Sequence, residues 1–557
     1  MSLKNSADVC ERDRNLEMTE IIPPSPFRTG LVTAGLAYIK PGAPPSCGAH
    51  LQPIMEPTVT SPLLLLVASL AFLVLYHSAR RSSSNPKRLP LPPGPPREFV
   101  LGNARHVPSS TPWKTYTKWK KTYGDIVYTR IVNQHNIILN SYGAAKELME
   151  RTPYSGRYSP VMIDKLMDMN QGLVSINYGN QWRKYRKLMN PYMHKIGIDR
   201  YFPVQEKGTC RYLQTLLDHP EDFTENWRLK TAREIAMVTY GITEDAAVEE
   251  YISTSEKVAI IFLKALLPGS FLVNTIPQLR YIPDWFPGAN FKRVAASGKI
   301  AYLEMINRPV KSVKAKMAAG TFEPSITSEL LERGEDEDVV KKMNGSIYSA
   351  ATDTTVKSMT AFISAMTLYP EVVKKAQAEL DSVVGPTRLP TTADHERLPY
   401  VNAVFMEVLR WIPATPLGIA HRLLEDDEYE GYFIPRDSIV YTNIWAMSRD
   451  EAHYKDPETF RPERFLVPDK EELDPRLFVF GLGRRACIGK HFAESTLFIA
   501  FASILATFDI SKARDENGRE IEPDVNFHMR AERFKCTIKP RSNVAAALIR
   551  DAAAADF

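Results

Sequence analysis

The hydrophobic residues of this 557-residue chain follow three patterns. One stretch is continuously apolar, whereas from Pro112 onward apolar residues recur every three to four positions, as in amphipathic helices. This helical spacing is most extensive from Trp182 to Val384. Alternating, strand-like runs occur at 125–131, 136–140, 429–441 and 534–538. The pattern predicts a mainly α fold with minor β in one large domain, residues 98–545.

The continuously apolar stretch, 57–77, predicts a single transmembrane helix. It contains 20 uncharged residues from Pro57 to Tyr76, enough to cross a bilayer. The twenty residues before it carry only Lys40 and Glu56, whereas Arg80, Arg81, Lys87 and Arg88 follow it. The positive-inside rule therefore predicts that the C-terminal body faces the cytosol. A secretory signal peptide fits less well, because no basic segment precedes the run and no clear cleavage site follows.

Three further segments complete the predicted organisation. Residues 1–56 form an N-terminal extension that is too acidic for a transit peptide. Two interpretations of it stay open: a disordered lumenal tail, or sequence upstream of a translation start at Met55. Residues 78–97 form a basic, Pro-rich linker, in which Leu89–Pro96 favours a stiff, extended backbone. Residues 546–557 form a C-terminal tail.

Composition excludes several function classes. The net charge is +5 and the positive charge is not concentrated in one tract, so nothing indicates nucleic-acid binding. The five cysteines are widely spaced and include no C-x-x-C pair. A disulfide framework or a zinc site is therefore not expected, and a reduced, cytosol-facing body fits better.

The strongest chemical signal is the segment Phe480–Gly489, which reads FGLGRRACIG. A Gly-rich loop leads there into an apolar helical run, so we expect Cys487 at or near a helix N-terminus. Free backbone N–H groups and the helix dipole stabilise a thiolate at that position. Gly483 and Gly489 would let a flat macrocycle approach the backbone, and Arg485 would supply a cation for a carboxylate.

This segment resembles the haem-binding signature of the cytochrome P-450 family, Phe-x-x-Gly-x-Arg-x-Cys-x-Gly. The five fixed positions all match: Phe480, Gly483, Arg485, Cys487 and Gly489. The resemblance extends from Leu89 to about Ser542. It implies the cytochrome P-450 fold and a haem b cofactor whose iron has Cys487 as its axial ligand, with Phe480 shielding the sulfur.

A second segment resembles the Glu-x-x-Arg motif of the same family. Glu407 and Arg410 share one helix face at i, i+3, in an apolar context that favours burial. The Pro462–Phe465 segment matches the family's later Pro-Glu-Arg-Phe and contributes Arg464. The resemblance implies a structural trio of Glu407, Arg410 and Arg464 near the cysteine loop.

A third segment contains small residues, an acid and adjacent hydroxyls, and reads AATDTT. Threonine side chains in such a helix can bond to the preceding turn and distort it. Asp353 and Thr354 resemble the acid–alcohol pair of the family, which implies that they relay protons during oxygen activation. Ala351 stands where the family usually has glycine.

Three more residues resemble contacts of the haem propionates. Trp182 and Arg186 share a helix face at i, i+4 and match the Trp and Arg of the family's C helix. His421, after the Glu-x-x-Arg helix, resembles another such contact.

Two short segments narrow the resemblance. Trp285–Gly288 and Phe534–Cys536 are similar to segments of basidiomycete enzymes of specialised metabolism. The expected substrate is a terpenoid or similar lipophilic secondary metabolite. By family position, the pocket residues are Met162–Met169, Ile347, Leu417–Ile419 and Phe527–Met529.

The implied reaction inserts one oxygen atom from O2 into that substrate. The chain has no visible flavin or Rossmann segment, so electrons would come from NADPH through a separate NADPH-cytochrome reductase, with cytochrome b5 as an optional donor. We expect a single-pass protein of the endoplasmic reticulum membrane. Its reductase-facing side would present five basic residues: Arg183, Lys184, Lys187, Arg484 and Lys490.

Two alternatives remain at this stage. One is a haem-thiolate isomerase or dehydratase, which the Asp353–Thr354 pair argues against. The other is a non-catalytic membrane protein that binds haem.

Overall fold

A computed structural model describes residues 85–108, 110–266, 269–467, 472–523 and 534–554. These residues belong to one of two compact units, Leu75–Phe557. The predicted extension 1–56, the predicted anchor 57–77 and the pocket residues Phe527–Met529 lie outside the described residues. Within the described ranges, no helix combines the length and the hydropathy needed to cross a membrane.

Helices dominate these ranges, as the apolar spacing predicts. They are α1 (Pro112–Tyr123), α2 (Tyr142–Glu150), α3 (Asn180–Met193), α4 (Phe202–Asp218), α5 (Phe223–Tyr240), α6 (Asp245–Leu266), α7 (Leu272–Thr275), α8 (Asn290–Ala319), α9 (Ile326–Glu332), α10 (Glu337–Leu368), α11 (Pro370–Val383), α12 (Pro399–Trp411), α13 (Ile444–Met447), α14 (Lys490–Thr507) and α15 (Asn543–Ala554). One π-helical turn spans Met162–Leu166.

The strands are short and form three small sheets. They are β1 (Ile126–Ile131), β2 (Gln134–Leu139), β3 (Gly156–Arg157), β4 (His421–Arg422), β5 (Asp427–Tyr429), β6 (Tyr432–Ile434), β7 (Ile439–Thr442), β8 (Phe508–Lys512) and β9 (Cys536–Pro540). The largest sheet has the order β1-β2-β7-β4-β3, with β2 and β7 parallel, while β5–β6 and β8–β9 form separate pairs. The predicted mainly α architecture with minor β is confirmed.

Helix α10, which contains the AATDTT segment, packs in the core against helix α14, which follows the cysteine loop. The Asp336 carboxylate caps α10 by accepting hydrogen bonds from the backbone N–H groups of Asp338 (2.8 Å) and Val339 (3.1 Å). Phe362 of α10 stacks on Phe501 of α14 with ring centroids 3.9 Å apart. Because core packing is dense, this contact fixes the two helices relative to each other.

The Pro-rich segment is part of the folded body rather than a spacer outside it. The backbone N–H of Tyr128 in β1 donates to the carbonyl of Pro93, and that of Phe433 in β6 donates to Pro90, both at 2.8 Å. A Cβ at Gly94 would lie 1.9 Å from the carbonyl oxygen of Tyr128. Only glycine therefore lets the segment lie this close to β1.

The predicted C-terminal tail, 546–557, begins inside helix α15. Ala546 and Ile549 of this helix are buried. The predicted boundary at residue 545 thus falls within a helix that packs on the body, and burial of apolar side chains such as Ile549 favours this packing.

Candidate active site

The loop Phe480–Gly489 is a closed turn that presents Cys487 just before helix α14. The backbone N–H of Cys487 donates to the carbonyl of Phe480 at 2.7 Å. Helix α14 begins at Lys490, with Gly489 as its N-cap. The predicted position of the cysteine near a helix N-terminus is confirmed.

Opposing electrostatic effects act on the Cys487 thiol. Burial raises its pKa most and Glu494 adds to this, whereas the backbone N–H of Gly489 and the cations Arg186 and Lys490 lower it. The side chain is nevertheless exposed, so it faces open space that the surrounding protein encloses. A metal cation there would hold the sulfur as a thiolate, because coordination removes the proton.

The two signature glycines have different surroundings. Gly483 has a φ of +58°, and a Cβ on it would lie 2.1 Å from the carbonyl oxygen of Met149. Glycine is therefore required at position 483 because the backbone of helix α2 lies directly against it. At Gly489 a Cβ would meet nothing within 4 Å, so this glycine is the one that borders open space.

Arg485 has one donor without a protein acceptor. Its Nε donates to the carbonyl of Ser155 (2.9 Å) and its Nη2 to that of Ile176 (2.6 Å). Its Nη1 is buried and has no hydrogen-bond partner. Because a buried, unpaired donor is costly, this atom indicates a site for an anionic acceptor.

Trp182 and Arg186 lie beside this guanidinium on helix α3. Arg485 is 4.9 Å and Arg186 is 5.6 Å from the centroid of the Trp182 ring. Arg186 donates from Nη1 to the carbonyl of Ala486 at 2.9 Å. The structure thus brings Trp182, Arg186 and Arg485 together next to the cysteine loop.

Arg157, which the sequence reasoning missed, completes the group. It lies in β3, and its guanidinium donates to the carbonyls of Val174 (2.9 Å) and Ile419 (2.7 Å). Burial, and then the charge of Arg485, lower the pKa of Arg157 to about 9. A single arginine between Gly and Tyr carries no sequence signal, so only the pairing of β3 with β4 reveals its place.

His421 of β4 lies in the same cationic region. Its Nδ1 is 2.7 Å from the carbonyl oxygen of Tyr154, so Nδ1 carries the proton. Burial first, and then Arg157 and Arg485, lower the pKa of His421 well below its usual value. The imidazole is therefore neutral until an anion offsets the nearby guanidiniums.

These charges fit a haem. Within the described ranges, no carboxylate is among the groups acting on Arg157, Arg186 or Arg485. Three guanidiniums without an anion, an orphan donor on Arg485 and an enclosed cysteine together suit a macrocycle with two carboxylates and a central metal. Arg157, Arg186, Arg485, Trp182 and His421 would hold its propionates, and Cys487 its iron.

One face of α10 is open while its flanks are buried. Ala350 is exposed, and Ile347, Ala351 and Thr354 are half-buried. These positions, at i, i+3, i+4 and i+7, share one helix face. This face of α10 therefore borders open space, whereas the opposite face of the helix packs into the core.

Asp353 and Thr354 have different partners. The Thr354 hydroxyl donates to the carbonyl of Ala350 at 2.9 Å, and α10 runs without a break through this turn. Asp353 turns to helix α5, where its Oδ1 lies 3.0 Å from Nη1 of Arg228. The sequence reasoning missed Arg228, because nothing in the chain marks an arginine 125 positions earlier as its partner.

Glu407, Arg410 and Arg464 form the predicted trio, and all three side chains are fully buried. Arg410 binds both carboxylate oxygens of Glu407 (2.7 and 2.8 Å), and Arg464 donates from Nε at 3.1 Å. The backbone N–H of Arg461 adds a fourth bond at 2.7 Å. The trio thereby ties α12 to the segment around residues 461–464.

The predicted pocket residues divide into two groups. Met162, Met167 and Met169 are buried in a core cluster with helices α6 and α8. Leu417 is half-buried and Ile419 is exposed. Ile347, on the open face of α10, is half-buried.

The predicted basic face is largely outward. Arg183, Lys184, Lys187 and Arg484 are exposed, and Lys490 is half-buried. Lys184 forms an ion pair with Glu335 at 3.1 Å. Residues of α3 and Glu335 border a surface groove of about 430 Å³.

Comparison with known proteins agrees with this geometry. The family model for cytochrome P-450 matches residues 92–538. The cytochrome P-450 monooxygenase claR of Ampulloclitocybe clavipes is 40% identical over 477 residues, covering 83% of this chain and 89% of its own. Monooxygenase 176 of Postia placenta is 37% identical over 509 residues, covering 88% and 97%.

A solved structure shows the same fold. A zebrafish cytochrome P-450 with abiraterone aligns with a TM-score of 0.61 at 22% identity, covering 77% of this chain and all of that one. The loop of Cys487, the cations around Arg485 and these relatives lead to one conclusion: the chain belongs to the cytochrome P-450 family and is a haem-thiolate monooxygenase.

Proposed function

We propose that the enzyme oxygenates a terpenoid or similar lipophilic secondary metabolite, with electrons from NADPH through a separate reductase. The observation that carries the proposal is the open face of α10, on which Thr354 lies beside apolar Ile347 and Ala351. Bound haem supplies O2 activation at its iron, favoured by electron donation from the thiolate. Asp353 and Thr354 would position protons, and the apolar lining would hold the substrate.

The lining supports a lipophilic substrate. Ile347, Leu417 and Ile419 present apolar side chains, and apolar surface binds by removing its area from water. An assay of NADPH-dependent oxygenation, with reductase and a panel of terpenoids, tests this substrate class. Equal turnover of small polar compounds would contradict it.

The proposal places the protein in the endoplasmic reticulum membrane, anchored by 57–77, with its catalytic domain in the cytosol. The support is the basic flank that follows the apolar run. Protease treatment of sealed microsomes tests the topology: the catalytic domain should be digested without detergent. Protection of the domain would contradict the cytosolic orientation.

The partner would dock on the basic face. Arg183, Lys184, Lys187 and Arg484 are exposed cations, which attract an acidic flavin domain and raise its association rate. Reversal of Lys184 and Lys187 to Glu should slow reductase-driven turnover and flatten its dependence on ionic strength. Turnover driven by added peroxide should stay nearly unchanged. Equal slowing of both would show that the face serves haem binding or folding.

Thiolate ligation is tested separately. Cys487→Ala should abolish the red-shifted Soret band of the reduced carbonyl complex. Oxygen from labelled O2 should appear in the product of the wild-type enzyme. An isomerase or dehydratase would give product without the label, and a non-catalytic haem protein would give no product.

A further inference from the structure

An ion pair lies inside the helix bundle, away from the cysteine loop. The Nζ of Lys230 is 2.6 Å from Oε1 of Glu234, one turn further along α5. Each side chain is only 3% exposed. Buried ion pairs seldom stabilise a fold, and loss of either partner leaves an unpaired charge in the interior. A pair in this position therefore needs an explanation.

Lys230 and Glu234 act mainly on each other. Among the described residues, burial is the largest influence on the pKa of each group, and the other member of the pair partly offsets it. Charged groups on the elements that pack against α5 have other partners or face solvent. Asp353 of α10 and Glu256 of α6 pair with Arg228. Glu329 of α9 accepts a hydrogen bond from Tyr192, and Lys316 of α8 pairs with Glu244. Two further cations, both on α4, are exposed: Lys207 and Arg211.

The neighbouring helix α4 is shaped around the pair. A Cβ at Gly208 would lie 2.5 Å from Oε1 of Glu234, so glycine there leaves room for the carboxylate. Several buried polar atoms of α4 and α5 have no hydrogen-bond partner in the protein, including Oε1 of Gln205, Oγ1 of Thr231 and, apart from the ion pair, both carboxylate oxygens of Glu234. The pair thus lies in a polar interior with more hydrogen-bonding atoms than partners.

Lys230 also contacts a side chain that bonds to α10, and α4, which packs around Glu234, bonds to α14. Lys230 lies 4.4 Å from the centroid of the Trp227 ring, and Trp227 donates from Nε1 to the carbonyl of Thr355 on α10 at 3.2 Å. Gln205 donates from Nε2 to the carbonyl of Phe492 on α14 at 3.3 Å. A change at Lys230 would therefore reach α10, which carries Thr354, and a shift of α4 at Gly208 would reach α14, which follows Cys487.

We propose that Lys230 and Glu234 form a buried proton-sharing pair that makes the packing of α4 and α5 behind the haem site sensitive to pH. The pair has no net charge, whether the proton is on the amine or on the carboxyl group. A proton gained or lost by the pair leaves one buried charge, which weakens the bundle.

The two members respond to pH in opposite directions. Burial raises the pKa of Glu234 to about 7, so its contribution to stability is present at low pH and is lost as the pH rises through that value. Burial lowers the pKa of Lys230, so its contribution is present at high pH and is lost as the pH falls. In the wild type these effects oppose each other.

Single substitutions separate the pH dependence of Glu234 from that of Lys230. Lys230→Met should make the folded holoprotein less stable as pH rises, because only a buried carboxyl group remains. Glu234→Gln should make it less stable as pH falls. In each variant the unfolding equilibrium constant should change by up to about tenfold per pH unit, because about one proton is taken up or released on unfolding. The double variant should have neither pH dependence.

The measurement is the unfolding midpoint of the holoprotein, with haem retention, across a pH series. Lys342→Met is the matched control, because Lys342 pairs at i, i+4 with the exposed Asp338 at 2.7 Å. This variant should have the same pH dependence of the unfolding midpoint as the wild type. The proposal would be overturned if stability changed with pH in the same direction in both single variants. It would also be overturned if both variants had the same pH dependence of stability as the wild type.

A second measurement covers a single variant that does not fold. The infrared spectrum of the wild type near neutral pH should contain a protonated-carboxyl band that the double variant lacks. Identical spectra would overturn proton sharing at Glu234.

Discussion

Nη1 of Arg228 lies 3.0 Å from Oδ1 of Asp353 and joins helix α5 to the acid of the acid–alcohol pair. The same guanidinium lies within 3.7 Å of Glu225 and 4.0 Å of Glu256. The Arg228 guanidinium therefore lies within ion-pair distance of three carboxylates. Its side chain is largely buried, with 19% of its surface exposed.

Removal of this cation should impair proton delivery more than haem binding. Arg228→Ala leaves Asp353 without its fixed partner, so we expect a several-fold lower yield of product per NADPH with haem content retained. Arg228→Lys should recover part of the yield, because it keeps the charge but not the planar fork. Arg233→Ala is the control, since Arg233 is a half-buried residue of α5 that pairs with the exposed Asp245 at 3.1 Å. An unchanged yield in Arg228→Ala would show that Asp353 works without it.

The Thr354 hydroxyl should determine coupling. Thr354→Ala should still consume NADPH and O2 but release peroxide in place of much of the product. A fall in coupling of about tenfold or more is expected, because positioned proton donors contribute roughly 100-fold or more. Thr354→Ser should preserve coupling. Thr352→Ala removes a hydroxyl on the buried side, bonded to Tyr348, and should leave coupling intact. Equal coupling in Thr354→Ala and the wild type would exclude this role.

Arg157 should matter for haem retention. Arg157→Met removes a buried cation of the propionate site and its hydrogen bonds, which at charged groups are worth about 1.5–3 kcal/mol each. The expected result is a lower ratio of haem to protein and a lower melting temperature. Arg157→Lys should be intermediate. Wild-type haem content in Arg157→Met would remove the residue from the site.

The buried trio should govern folding. Glu407→Ala leaves Arg410 and Arg464 without their carboxylate in the interior, at a cost of about 3–5 kcal/mol. We expect little folded holoprotein from this variant, measured as Soret absorbance per milligram. Glu463→Ala is the control, because Glu463 lies beside the trio but pairs with the exposed Lys375. Normal haem content in Glu407→Ala would contradict a structural role.

Local features of the chain were enough to predict the fold class, the cysteine loop and the trio. Helical spacing depends on the sequence period alone, and the signature from Phe480 to Gly489 concentrates its chemistry in ten residues. Glu407 and Arg410 are neighbours on one helix by spacing alone. The fold class, the loop and this helical pair needed no long-range contact, whereas the place of Arg464 beside Glu407 came from the resemblance of Pro462–Phe465 to a family segment.

Other features of the site arose only from tertiary packing. Arg157 reaches Arg485 because β3 pairs with β4, and Arg228 reaches Asp353 because α5 packs on α10. The partner of Gly483 is the backbone of Met149, more than 300 residues away in the chain. Such contacts depend on how elements pack in space, and burial then sets the charge states of His421 and Glu234, so spacing along the chain does not reveal them.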